Sequence, residues 1–147
     1  MKAHLFIFLV VLFNCGTDQI DRINRHYILE NNTNHVLEMD LYRHAWPEGT
    51  EPYKFTVNGP GILHDGLSDN DAGHMISAYD ALGADSVIVT YDGIKRQIYY
   101  VSHLDGLLHS IPEVQKHLFV EESYEIESET LYRFTFTEED YELAEFI

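Results

Sequence analysis

An all-β sandwich of about seven short strands, immunoglobulin-like or transthyretin-like and with one or two short helices, is the fold class this sequence predicts. Three observations predict it. From His26 onward apolar and polar residues alternate with a period of two, not 3.6. Aromatic and β-branched residues dominate the alternating stretches, as a pleated, half-buried surface favours. Glycine- and asparagine-bearing turn stretches separate them at the short spacing of sandwiches.

The elements follow in chain order. "HYILEN" puts Tyr27 and Leu29 on one face, and "NNTN" breaks the run with the residues that turns prefer. "HVLEMDLYR" puts Leu37, Met39 and Leu41 on one face, so these two segments read as a hairpin with a four-residue turn. "PYKFTVNGPG" repeats the pattern with Tyr53, Phe55 and Val57. "DSVIVTYDG" sets Val87, Val89 and Tyr91 against Ile88 and Thr90, and Asp92-Gly93 turns it into "IKRQIYYVS" as a second hairpin. "SYEIES" and "TLYRFTFT" make a third pair, with Tyr132, Phe134 and Phe136 facing the core.

Two helices are expected. "SIPEVQKHL" has Ser110 as N-cap and Glu113 three residues on, with proline in the first turn. "TEEDYELAEF" repeats the signature with Thr137 and Asp140, and its acidic first turn suits the positive end of a helix. Gly59 to Gly83 is the least regular stretch and reads as a long loop or a broken strand pair.

The N-terminus has a different composition. Lys2 precedes a nine-residue apolar run, Leu5 to Phe13. A spanning helix needs roughly 20 apolar residues, so this run fits a secretory signal. Leu12-Phe13-Asn14-Cys15 follows, with the only cysteine of the chain. The tetrapeptide resembles the bacterial lipobox: leucine stands three residues before the cysteine, although Phe13 and Asn14 are bulkier than the usual small residues. The resemblance implies diacylglyceryl transfer to Cys15 and cleavage that leaves it as the first residue. Nothing around Cys15 supplies the base that a nucleophile requires. The layout is then residues 1–14 as signal peptide, 15–25 as tether and 26–147 as one β-sandwich domain. Asp18 and Asp21 after the cysteine read either as a weak surface-export signal or as a polar tether.

The net charge of −16 offers no basic footprint for nucleic acid. It also disfavours anionic lipid, so the membrane is reached through acyl chains, of which stable anchoring takes more than one. Catalytic signatures are missing: no G-x-S-x-G, S-x-x-K, G-x-G-x-x-G or phosphate loop occurs. The densest polar cluster is in the irregular stretch. Asp65, Asp69 and Asp71 are hard oxygen ligands for calcium, and His74, with His64, raises a zinc alternative. The order of an EF-hand is absent, and a solvated loop is the other reading. His103, His109 and His117 flank the first expected helix, the last two placed to share a face. A hydrolase would need these histidines and carboxylates to converge in one pocket. Asn31-Asn32-Thr33 fits a glycosylation sequon that a bacterium would normally leave unused. Tyr42 and Tyr99 at outward positions offer a sugar- or peptide-contacting face, with cross-strand pairing as the alternative.

The body as a whole, through "YILENNTNHVLEMDLY", "DSVIVTYDGIKRQIYY" and "YEIESETLYRFTFTEEDYELA", resembles small lipoproteins of Bacteroidota. That resemblance implies a lipid-anchored β-sandwich and no activity. The expectation is a non-enzymatic lipoprotein of the cell envelope, at the outer membrane on its periplasmic or surface face. It meets a protein or glycan partner and carries no cofactor. A calcium or zinc domain, or a hydrolase, are the alternatives.

Overall fold

The computed structural model describes residues 24–43, 50–59, 61–69, 77–102 and 104–147. Cys15, Asp71, His74 and His103 lie outside the described residues.

The chain forms an all-β sandwich. One sheet has the order β4-β1-β9-β8, from Gly61–Asp69, Asn24–Asn31, Leu131–Phe136 and Glu125–Ser128. The other has the order β10-β6-β5-β2-β3, from Glu145–Phe146, Lys95–Val101, Ser86–Tyr91, Val36–Tyr42 and Tyr53–Asn58. A short β7, Leu108–Ile111, pairs with the far half of β6. Each of the seven expected segments forms a strand, and the expected inward residues are buried in four of them: Tyr27, Leu29; Leu37, Met39, Leu41; Val87, Val89, Tyr91; Tyr132, Phe134, Phe136. The edge strand β3 is shallower: Phe55 and Val57 pack against the core, while Tyr53 is exposed.

Pairing differs from the sequence reading at one junction. β1 and β2 do not form a hairpin. β1 is the centre of its sheet, antiparallel to β4 and parallel to β9, so neither edge is left for β2. The short connection instead crosses between the sheets. Asn31 makes this crossing. Its side chain, fully buried, donates to the carbonyls of His35 (3.0 Å) and Gly59 (3.1 Å) and accepts from Thr33 N (3.0 Å) and Thr33 Oγ1 (2.8 Å). The sequon asparagine is therefore a buried structural residue. The Asp92-Gly93 hairpin forms as expected, with Asp92 at φ 52 and Gly93 at φ 70. The β8–β9 pair also forms as expected.

Of the expected helices, Glu138–Leu143 (α2) forms with the capping box of Thr137 and Asp140. The one expected after Ser110 does not. Ser110 and Ile111 are drawn into β7 opposite Tyr99 and Ile98, and Ser110 Oγ accepts from Val114 N at 3.0 Å. Sheet pairing there outweighs a local capping signal. A five-residue helix that the reading missed, Ala78–Leu82 (α1), carries the same signature, with Ser77 as N-cap, Asp80 three residues on and Gly83 in the left-handed conformation at its end. The stretch read as a long loop or a broken strand pair contains β4, a nine-residue strand along β1.

The sandwich has two distinct ends. β1 begins at one of them, with the end of β4 and the start of β9 beside it. The other end gathers Asn31, the start of β2, the end of β3, the Asp92-Gly93 turn and α2, tied by Asn31 and by Asn32 N donating to Phe136 O. These are called the tether end and the far end below. Between them the core is an aromatic stack: Tyr27 lies face to face with Tyr132 (5.1 Å) and edge-on to Tyr124 (5.5 Å), and Phe134 touches Phe136 (5.0 Å).

Candidate functional site

The far end concentrates charge. Asp92 sits in a turn that only Gly93 and a residue tolerating positive φ can make. Its Oδ1 accepts from Val36 N (2.7 Å) and its Oδ2 lies 2.6 Å from His35 Nδ1. The His35 and Val36 contacts hold the Asp92 carboxyl below its usual range. On the other side of the ring, Nε2 stands 3.3 Å from Glu138 Oε2, and Glu138 Oε1 accepts from the backbone and side chain of Asn34. The imidazole stacks on Tyr141 at 3.5 Å. Both nitrogens of His35 thus face carboxylates, and the Thr33 hydroxyl pairs with its backbone, accepting from His35 N at 3.1 Å. The arrangement clamps the crossover, the hairpin turn and α2 together. The sequence reading missed His35; the available signal was the aspartate of the Asp-Gly turn, which must satisfy something besides its own backbone.

Next to it, Lys116 is held between strand and helix. Its Nζ donates to Thr135 O (2.7 Å) and to Asp140 Oδ2 (2.9 Å), and it lies 4.7 Å from the Phe134 ring centre. Asp140 also accepts from Thr137 N and Oγ1, so one buried carboxylate serves as helix cap and counter-ion. An open cavity of about 450 Å³ runs along Glu113, Lys116, Thr137, Glu139, Asp140 and Leu143. Its cation is held by the fold through two hydrogen bonds and the Phe134 ring.

A second cavity, about 270 Å³, is lined by His109, Ser110, Glu113 and His117 among others. These two histidines do meet, though not on a helix face. His117 Nδ1 accepts from Phe119 N (3.2 Å), so Nε2 carries the proton it donates to His109 O (2.7 Å). Burial pushes the His117 pKa down, and its neutral ring has both nitrogens occupied. His109 stacks on Tyr100 and lies 3.5 Å from Asp105. Among the described residues, His35 stands at the far end, His109 and His117 along β7, and His26 and His64 on β1 and β4, so the histidines are spread over the fold.

The carboxylates expected to bind metal are placed as follows. Asp65 and Asp69 are on β4, opposite Ile28 and Asn24. Four residues of extended backbone put their Cα atoms about 13 Å apart, where a turning loop would have brought them together. Among the described residues, no group of three or more His, Cys, Asp or Glu is arranged to hold a metal ion. Of the two tyrosines expected to face outward, Tyr42 is half-buried and Tyr99 is fully buried. Tyr99 packs inward because β6 places Lys95, Gln97 and Tyr99 on its core face. Among the described residues, no helix is long and apolar enough to cross a membrane.

No family model, no curated protein and no solved structure matches this chain.

Proposed function

We propose that the protein is a lipid-anchored lipoprotein of the bacterial cell envelope, a non-enzymatic binding or accessory module tethered at Cys15 to the outer membrane. The observation that carries this reading is the layout: an apolar run of Leu5 to Phe13, a lone cysteine preceded at three residues by leucine, and a strand starting at Asn24. Only eight residues separate Cys15 from the sandwich, counted from 16 to 23. The polar clusters support the non-enzymatic part. His35, Lys116 and His117 have their polar atoms engaged by neighbouring elements of the fold. The acidic composition favours a protein or glycan partner over nucleic acid.

The test is the mass of the N-terminal peptide from the membrane fraction of a bacterial host, beside Cys15→Ser. The expected result is an acylated Cys15 as first residue, and loss of membrane association in the variant. An unmodified Cys15, or cleavage elsewhere, overturns the reading.

A further inference from the structure

The tether end carries an apolar feature that the core does not use. In the connection from β6 to β7, Leu104 is 99 % exposed and Leu107 60 %, and Leu108 at the start of β7 is also exposed. The connection is nonetheless well built. Ser102 N donates to Leu107 O and Gly106 N to Ser102 O, both at 2.8 Å. Leu107 N donates to Asp105 Oδ1 at 2.9 Å, and Leu104 N to Ser102 Oγ at 3.3 Å. These N–H groups are therefore satisfied within the loop, which is the condition for a backbone to enter a water-poor layer without an unpaired donor.

Register places this loop at the end of the sandwich where β1 begins. β6 ends at Val101, opposite Leu108, and Tyr100 stands across from Ser86, which itself faces Tyr42, all at the end opposite the Asp92-Gly93 turn. A chain of contacts joins the two sheets there. Arg25, at the start of β1, pairs with Glu121 at 3.0 Å; Ser123 Oγ, two residues on, accepts from His117 N; and His117 binds the carbonyl of His109 on β7. Nine peptide steps from Cys15 to Asn24 reach about 30 Å at full extension. β1 alone rises about 26 Å over eight residues. An acylated Cys15 therefore enters the domain at the tether end, and the far end reaches the bilayer only on a tether drawn out almost fully. A second exposed apolar set, Leu143, Phe146 and Ile147 with Ile94, belongs to the far end, and Tyr53, Ile62 and Ile126 are exposed on separate strands.

We propose that the Leu104–Leu108 loop seats the domain on the lipid surface, its leucines entering the headgroup–acyl boundary of a zwitterionic leaflet. This rests on Cys15 being the lipid anchor. Charge selects the lipid: the chain is strongly acidic, and Glu125, Glu127 and Glu129 are exposed around the neighbouring β8–β9 turn. The Leu107 N–H, Ser102 and His109 keep the Asp105 carboxylate ionised below its usual range, so the seat stops at headgroup depth. The loop adds orientation to the acyl chains, which supply the affinity. It turns the far end away from the bilayer.

Once Cys15 is acylated the chain has no other thiol. A nitroxide on Leu104→Cys, and separately on the exposed helix position Glu142→Cys, then reports depth in phosphatidylcholine vesicles carrying the full lipidated protein. Acylation is checked by mass in the same samples. The expected result is a several-fold loss of nickel-chelate accessibility at Leu104 relative to Glu142, reversed by adding Leu107→Asp. Equal accessibility with Cys15 acylated overturns the seat and leaves the anchor standing. Deeper burial at Glu142 overturns it in favour of the opposite orientation. An unmodified Cys15 overturns the anchor, and the seat with it.

Discussion

Two buried polar regions of this sandwich are treated in opposite ways. Where the chain crosses between sheets and α2 docks at the far end, buried polar side chains have partners: Asn31 makes four hydrogen bonds, Lys95 donates to the carbonyls of Tyr141 and Glu142, and Asp140 holds Lys116 and the start of α2. On the core face of the two central strands β5 and β6, Tyr91 OH, Tyr99 OH and both amide atoms of Gln97 are buried with no protein partner. The difference separates two roles for buried polarity. Far-end groups replace backbone hydrogen bonds where the chain crosses between sheets. The central row does nothing comparable: its strands are already laddered on both sides, so its side-chain polarity adds desolvation without a structural return.

The largest effects are expected where partners are most numerous. Asn31→Leu keeps the volume but leaves the carbonyls of His35 and Gly59 and the N–H of Thr33 unpaired in the interior. It should cost about 4 kcal/mol in urea unfolding, summing a few orphaned groups. Asn31→Asp keeps the acceptor for Thr33 but turns a carboxylate toward the carbonyls of His35 and Gly59, so at neutral pH it should cost at least as much. Asp140→Ala removes a cap and leaves Lys116 without its carboxylate, for about 3 kcal/mol. Asp80→Ala removes the same motif at an exposed position of α1, where Ser77 and Asp80 cap each other, and should cost about 1 kcal/mol. If the two aspartates cost the same, burial and Lys116 add nothing at the far end.

The same contrast explains what was legible in the residues. Period-two alternation exposes strands because each needs one apolar face, and Leu37, Met39 and Leu41 are buried as read. Pairing is a different matter. "NNTN" has hairpin chemistry, but whether it turns within a sheet or crosses between sheets depends on β4 and β9 already flanking β1, and both lie far along the chain. β4 was hidden because "GILHDGLSD" carries glycine, histidine and aspartate where strands usually show branched residues. Capping boxes were read inconsistently for a physical reason. Ser77 and Thr137 open helices, while Ser110 sits where β6 offers a free ladder. His35 escaped because its two carboxylates come from 57 and 103 residues downstream.

His117 extends the comparison to pH. Its folded pKa is depressed by burial from 6.5, so the unfolded chain takes up the proton first as pH falls. Its contribution is complete above pH 6.5 and declines as pH drops through the depressed folded value. Urea midpoints measured from pH 7.5 to 5 should fall in the native protein and fall less steeply in His117→Gln. An equal slope in both would place the acid sensitivity elsewhere.

The smallest effect should come from the central row, and its sign is the informative part. Gln97→Leu removes two unpartnered amide atoms and keeps a side chain of similar size on the core face of β6. If the amide is partnerless in solution, the exchange recovers its desolvation cost and leaves stability unchanged or raised by about 1 kcal/mol. If an ordered water bridges Gln97 to the hydroxyls of Tyr91 and Tyr99, as buried polar groups commonly arrange, Gln97→Leu strands the water's other partners and destabilises instead. Tyr99→Phe separates the two cases further. It should be neutral beside a dry row, and it should cost as much as Gln97→Leu where one water is shared. A loss in both variants, smaller together than the sum of the singles, would make the row a hydrated network and bring it under the same rule as the far end.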